Sequence, residues 1–112
     1  GVASLEGAAQ MVASDIRYAQ EYAMANRVSK QINFTQNSSV YTFNPTSNLD
    51  PSGQLPPGVT ISSSTYTLTF NSLGEPTSIV YPPDLYVDVI VSGGGLSKTI
   101  RVLNFTGKVL FP

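Results

Sequence analysis

Few residues of this chain have the types and spacings that chemistry requires. Asp84 and Asp88 lie four positions apart, which in an extended strand is about 13 Å, too far for two carboxylates to share a proton. That separation also exceeds the roughly 6.5–9.5 Å of an inverting glycosidase. Ser97 and Lys98 are adjacent, and adjacent side chains of a strand point to opposite faces, so they do not form a Ser-Lys dyad. We therefore predict that the protein is not an enzyme.

A metal site has equally little support. The chain contains no Cys and no His, which excludes disulfides, thiolate nucleophiles, Cys/His zinc sites and Ser-His-Asp triads. Asn48, Asp50, Ser52 and Gly53 follow the early ligand spacing of an EF-hand calcium loop, but the closing position holds Val59 instead of a carboxylate. We interpret this stretch as an ordinary turn and expect neither a metal nor a cofactor.

The charge balance disfavours nucleic acid as a partner. Six Lys and Arg face seven Asp and Glu, for a net charge of -1, and charged residues make up only 12% of the chain. A protein that neutralises several phosphates normally shows a basic stripe. Here the candidates are dispersed: Lys98, Arg101 and Lys108 near the C-terminus, with Arg27 and Lys30 further upstream. Binding of DNA through Lys98, Arg101 and Lys108 stays an alternative hypothesis.

A third class of function is a secreted adhesive or carbohydrate-binding β-domain. Such a domain needs an exposed aromatic platform, and the chain has six tyrosines that could supply one. Most of them are expected in the core. They lie at positions 18, 22, 41, 66, 81 and 86.

One helix is predicted over residues 4–27. Its apolar residues recur at steps of four, three, four, three and four positions, which places them on one face of a helix. They are Leu5, Ala9, Val12, Ile16, Ala19 and Ala23.

This helix begins without a strong capping signal, since Gly7 stands where a capping box would have Glu or Gln after Ser4. At about 1.5 Å per residue it would reach on the order of 36 Å, more than a domain of this size needs for packing. We therefore expect Leu5 and Ala9 to project beyond the domain and to be mostly exposed. Ile16 and the alanines after it are expected to pack on a sheet with the phenylalanines at 34, 43 and 70.

The remainder of the chain has the alternating pattern of β-strands. Residues 28–43 read as a hairpin, and the prolines and glycines of 44–58 predict a loop that, like 92–96, should be mobile. The sequence thus predicts an α+β fold in one domain, with a long N-terminal helix over 1–27 packed on antiparallel β-sheet within a β-rich part, 28–112. From Val59 onward the pattern predicts a β-meander, with strands at 59–61, 65–70, 79–81, 85–91, 99–105 and 109–111.

Three motifs make a family resemblance specific. Ala13–Val28 reads A-x2-I-R-x-A-Q-x2-A-M-x-N-R-V, Phe70 is followed by x3-Gly74, and Ile100–Val102 leads to Thr106–Val109 with the sequence T-G-K-V. These motifs resemble the minor pseudopilin family that includes GspH of type II secretion and FimT of type IV pili. The resemblance covers nearly the whole chain.

The resemblance implies a pilin-like fold and a structural role at or near the tip of a pilus or secretion pseudopilus. Its partners would be other pilin or pseudopilin subunits, contacted through the helix at Leu5, Ala9 and Val12, and no residue would be catalytic. FimT-like members imply the DNA-uptake alternative. The family begins with a processed Phe, an apolar stretch and a Glu at its fifth position, which this chain lacks. We therefore expect that an upstream helix half anchors the protein in the bacterial inner membrane, with this domain in the periplasm or on a pilus.

Overall fold

The structure, a computed structural model, describes residues 2–112. It begins with a single long helix, α1 (Val2–Asn26), and continues as β-structure. The strands are β1 (Lys30–Phe34), β2 (Thr42–Asn44), β3 (Thr60–Ile61), β4 (Tyr66–Phe70), β5 (Tyr86–Gly93), β6 (Leu96–Leu103) and β7 (Val109–Leu110).

The strands form two antiparallel sheets. The first has the order β2-β1-β4 and the second β3-β5-β6-β7. In the first sheet Ile32 lies opposite both Phe43 of β2 and Leu68 of β4, so the predicted hairpin over 28–43 is confirmed. In the second sheet a two-residue turn with positive φ at Gly94 and Gly95 joins the two eight-residue strands, as a tight hairpin requires. The predicted α+β fold, with one helix on antiparallel sheet, is confirmed.

Two details of the predicted strand order are wrong. The chain does not meander from β3 into β4. β3 pairs with β5 in the second sheet, whereas β4 pairs with β1 in the first. Residues 79–81 do not form a strand either. Pro82 and Pro83 follow directly and have no N–H to give to a sheet, and Asp84 instead closes a turn by donating its N–H to the Val80 carbonyl at 3.0 Å.

One face of helix α1 is buried against both sheets from Leu5 to Ala23. Ile16, Ala19 and Ala23 belong to one core cluster with Phe34, Phe43 and Phe70, as predicted. The prediction that the first turns project is wrong, because Leu5 is only 3% exposed and Ala9 only 1%. The β5–β6 hairpin is long enough to cover these turns, and its Lys98 reaches Glu6 at 2.7 Å.

The C-terminal end of the helix has a geometry that its sequence does not predict. Arg27 adopts a left-handed conformation with φ 54°, and the Val28 N–H donates to the Ala23 carbonyl at 3.1 Å. This is the Schellman arrangement, usually built on glycine. It turns the chain towards β1 and leaves Val28 exposed outside the strand. No helix within residues 2–112 is long and apolar enough to cross a membrane.

Candidate functional site

The calcium-like segment is held by an internal lysine. Lys30 is the first residue of β1; its side chain lies on the inward face of the strand and is fully buried. Its ammonium group donates to Asp50 Oδ1 at 2.8 Å and to the Pro45 carbonyl at 2.5 Å, and it lies 3.9 Å from the centre of the Tyr22 ring. Asp50 also accepts the Tyr18 hydroxyl at 2.6 Å. We call these five residues the Lys30 corner.

The Lys30 corner settles the roles of two predicted candidates. Burial opposes the charge of Asp50, yet the hydrogen bonds from Lys30 and Tyr18 hold the pKa of this carboxyl below its usual value. Asp50 Oδ2 accepts the Ser47 N–H at 2.7 Å, so both carboxylate oxygens are hydrogen-bonded within the protein. Lys30, counted above among the cations that could meet a phosphate, is enclosed by protein.

A second internal polar pair joins the helix to the residue just before β2. The Tyr41 hydroxyl donates to Asp15 Oδ2 at 2.5 Å, and both side chains are buried. Burial raises the pKa of Asp15, and the Tyr41 hydrogen bond opposes that rise. Since neither group reaches the surface, the pair fixes the helix against residue 41 and offers no access to a substrate.

The residues first considered for catalysis are engaged elsewhere. Asp88 forms a two-point ion pair with Arg101, at 2.8 and 3.0 Å, and the guanidinium carbon lies 3.7 Å from the centre of the Tyr86 ring. Ser97 Oγ lies 2.8 Å from Ser92 Oγ, away from Lys98. The Asp88 and Ser97 side chains thus make structural contacts.

The three candidate DNA contacts do not converge. Lys98 pairs with Glu6 on the side of β6 that faces the helix. Arg101 is three positions further along the same strand, so it points to the opposite face and pairs with Asp88. Lys108 lies outside β6, directly before β7. These three side chains therefore do not form a basic stripe.

The motif glycines have a packing role. Gln20 Nε2 donates to the Gly74 carbonyl at 2.8 Å and to the Thr106 carbonyl at 2.9 Å. A Cβ on Gly74 would come within 2.6 Å of Met24 Sδ, and one on Gly107 within 2.7 Å of Gln20 Nε2. Both glycines also have positive φ, 79° and 71°, which side chains disfavour. Glycine thus lets two distant turns dock on the same part of α1.

One end of the second sheet carries large apolar side chains in solvent. Val80 is 63% exposed, and Tyr81, Leu85 and Phe105 are each 58% exposed; we call these four residues the apolar end patch. The Tyr81 and Phe105 rings meet edge to face with their centres 5.7 Å apart. A groove of about 290 Å³ runs beside them, with Pro76 and Ile79 among its lining residues. Clustered exposed apolar groups of this kind mark interaction surfaces.

A buried amide holds the apolar end patch in place. Asn104 Nδ2 donates to the carbonyls of Ile79 at 3.1 Å and Asp84 at 2.9 Å, and its main-chain N–H donates to Leu85 at 2.8 Å. Asn104 Oδ1 accepts the N–H of Phe105 at 2.7 Å. Phe105 itself has φ 68°, a left-handed conformation that costs a non-glycine residue about 1 kcal/mol or more. The fold therefore maintains an exposed phenylalanine in a strained conformation.

Sequence reasoning missed this patch. The apolar residues of 79–81 and 85–91 predict strands, and a predicted strand gives no reason to place its large side chains in solvent. A signal was present in Pro82–Pro83, which interrupts any strand there. Of the six tyrosines, Tyr81 and Tyr86 are the exposed ones. Tyr81 contacts Phe105 and Tyr86 contacts Arg101, so the tyrosines form no common platform for a sugar.

Comparison with known proteins defines the fold. No model of a known protein family matches the sequence, and no curated protein matches it. Two crystal structures of the type IV minor pilin FimU from Pseudomonas aeruginosa strain PAO1 do match, each at 16% identity over 96% of this chain. The form in space group P21 has a TM-score of 0.70 over 87% of its chain, and the form in P65 has 0.67 over 92%. The chain therefore has the fold of a type IV minor pilin.

Proposed function

We propose that this protein is a minor subunit of a type IV pilus or of a related type II secretion pseudopilus, and that it acts by assembling with other pilin subunits. The observation that carries the proposal is the likeness to FimU, which extends over 96% of the chain. The likeness includes both sheets and the helix, so it is not confined to one common motif. Assembly requires recognition surfaces and no covalent chemistry.

The sequence motifs refine the proposal. The motif glycines at 74 and 107 both dock on α1 beside Gln20, which supports placing the chain with the GspH and FimT group, at or near the filament tip. In this proposal residues 1–27 are the C-terminal half of a longer pilin helix, and 28–112 are the β-rich part of the same domain. The upstream half would lie in the inner membrane before assembly, with this domain in the periplasm or on the filament.

We propose a different face of the helix as the interface. Leu5, Ala9 and Val12 are all buried against the sheets, so they are not free for a partner. The exposed face of α1 instead presents Gln10 and Arg17, together with neighbouring residues at helical spacing. They are Glu6, Gly7, Ser14, Glu21 and Met24.

The apolar end patch supplies the second contact. The main chain that carries its aromatic side chains is held by Asn104 before any partner arrives, so less conformational entropy is lost on binding. Aromatic anchors of this kind contribute most of the binding energy in many protein interfaces. We expect the partner to be another subunit with a complementary apolar surface.

Two titrations test the proposal. The protein should bind the soluble domain of at least one pilin subunit encoded in the same gene cluster, and Tyr81→Ser should weaken that binding about tenfold or more. Leu49→Ser is the matched control, because Leu49 is 79% exposed in the 44–58 loop and outside both proposed contacts. Duplex DNA should bind no more tightly than about 10⁻⁴–10⁻⁶ M at physiological salt.

The opposite result would replace assembly by DNA uptake. It would be sub-micromolar DNA binding that is lost when Lys98, Arg101 and Lys108 are changed to alanine, together with no binding of any pilin domain.

A further inference from the structure

The hydrogen-bond pattern of β5 leaves part of its outer edge open. The tight turn pairs Gly93 with Leu96, and main-chain bonding alternates from there along an antiparallel pair. Val91, Val89 and Val87 therefore bond to β6, and the Leu85 carbonyl, in the same series, accepts the Asn104 N–H at 2.8 Å. The main-chain groups of the intervening residues point away from β6.

Within residues 2–112, β3 and the segment after it cover only the part of that outer edge nearest the β5–β6 turn. Thr60 of β3 lies opposite Ser92, the Ser62 N–H donates to the Ile90 carbonyl at 2.8 Å, and the Ile90 N–H donates to Ser63 Oγ at 3.0 Å. The chain then turns away towards the first sheet. Within residues 2–112 the outward main-chain groups of the next two edge residues, 88 and 86, have no hydrogen-bond partner.

The facing edge of β4 is open in the same way. The Thr69 N–H donates outward to Ser78 Oγ at 2.9 Å, so Thr67, two positions earlier, also directs its main-chain groups away from β1. The segment after β4 covers the strand at Phe70, which bridges to Pro76. In the described part of the chain nothing covers the main chain of Thr67.

A cleft of about 440 Å³ lies between the start of β4, at Tyr66, and the open edge of β5. Tyr66 and Val87 are partly buried against the core at its sides. Its one charged lining residue, Asp88, is already paired with Arg101. The remaining lining residues are Gln36, Ser62, Ser63, Ser64, Thr65 and Ile90.

We propose that this cleft receives an extended segment of another polypeptide, which adds a short strand to the edge of Tyr86–Asp88 in line with β3. The inference rests on the proposed function, since the segment would belong to another pilus subunit. Alternating N–H and C=O groups along a strand edge are matched by another main chain. The cleft combines hydroxyl groups with apolar surface, and its Asp88 is already paired, so it selects a segment with small, uncharged side chains. Because the open edge is short, it does not invite indiscriminate pairing.

Asp88 permits a sharp test. Its N–H points into the cleft and not to β6, so Asp88→Pro removes a donor from the cleft without removing a bond between β5 and β6. Asp88→Ala is the matched control, because it loses the same ion pair with Arg101 but keeps the N–H. The probe is a set of synthetic peptides of roughly ten residues that tile the soluble domains of pilin subunits from the same gene cluster. Such peptides are too short to test assembly through α1.

The measurement is a titration followed by amide NMR. At least one peptide should shift the amide signals of Thr67, Tyr86 and Asp88 and slow their hydrogen exchange about tenfold or more. Asp88→Pro should weaken that peptide about tenfold or more, and Asp88→Ala less than about threefold. The amide shifts of the unchanged protein decide the matter by themselves if Asp88→Pro does not fold.

Two results would overturn the inference: no peptide shifts these amides, or Asp88→Pro and Asp88→Ala bind a peptide equally well. If whole subunit domains still bind in that case, the cleft proposal fails while the assembly proposal stands. If whole domains do not bind although a peptide fills the cleft, the assembly proposal fails alone.

Discussion

The Lys30 corner and the apolar end patch differ in the solvent exposure of their side chains. At the corner a lysine, the kind of residue expected in solvent, is fully buried and bonded to Asp50 and Pro45. At the patch Tyr81 and Phe105, the kind of residue expected in the core, are each 58% exposed. Both arrangements run against the usual preference of the side chain.

The difference suggests separate roles: the Lys30 corner stabilises the fold, and the apolar end patch is available for recognition. All the contacts of Lys30 lie within the molecule, so its burial fixes the 44–58 loop on the helix and the first sheet. The main chain of the patch is also held by internal bonds, through Asn104, but more than half of each of its four side chains is exposed to solvent. Where a fold holds large apolar groups in solvent by means of a buried amide, binding to another molecule explains the arrangement best.

Breaking the Lys30 corner should give the largest effect. Lys30→Met keeps an apolar stem in the core but leaves Asp50 without its cation, so the free energy of unfolding should fall by about 3–5 kcal/mol. Urea denaturation measures it. The double variant Lys30→Met/Asp50→Asn should recover part of the loss because no unpaired charge remains. A single-variant loss below about 1 kcal/mol would show that the corner is a surface ion pair in effect.

Two buried positions of the helix, Leu5 in its first turns and Ile16 near its middle, should be nearly as sensitive as the corner. Leu5→Ala and Ile16→Ala should each lower the free energy of unfolding by about 2–4 kcal/mol, because both side chains are buried and each change leaves a cavity. Comparing their urea midpoints tests whether the β5–β6 hairpin covers the first turns in solution. A negligible effect of Leu5→Ala beside a large effect of Ile16→Ala would restore the projecting helix.

Asn104 should have an intermediate effect that reaches both stability and binding. Asn104→Ala leaves the Ile79 and Asp84 carbonyls without their donor, which should cost about 1–3 kcal/mol. It should also weaken binding of a pilin partner, since the patch would lose its fixed shape. Thermal denaturation and a partner titration measure the two effects. Normal partner affinity in a destabilised Asn104→Ala variant would contradict the role assigned to the patch.

Phe105 should show the smallest effect on stability and a clear effect on binding. Phe105→Gly removes a half-exposed ring and relieves a left-handed φ of 68°, so the free energy of unfolding should change by less than about 1 kcal/mol. Partner affinity should fall about tenfold or more. A stability loss as large as that of Lys30→Met would mean that the patch serves the fold in the same way as the corner.

The sequence predicted the elements better than their exposure. The helix, the β1–β2 hairpin and the strand at 66–70 were found because their apolar residues repeat at helical or strand spacing. Leu5 and Ala9 were placed on the correct face of the helix, but their burial was missed because spacing does not reveal how far a covering hairpin extends. The patch was missed because an apolar run reads as a strand whether or not a sheet accepts it.

Local composition therefore determined the helix, most strands and the exclusion of Cys and His chemistry, since each depends on neighbouring residues or on residue types alone. Only the tertiary structure decided that Lys30 would be buried, that Lys98 and Arg101 would point to opposite faces with separate partners, and that Phe105 would stand in solvent. Each of these outcomes depends on residues far away in the chain: Asp50 for Lys30, Glu6 for Lys98, and the carbonyls of 79 and 84 for the turn that carries Phe105. Periodicity carries no information about such pairings, because they form only when the helix, the two sheets and the loops pack together.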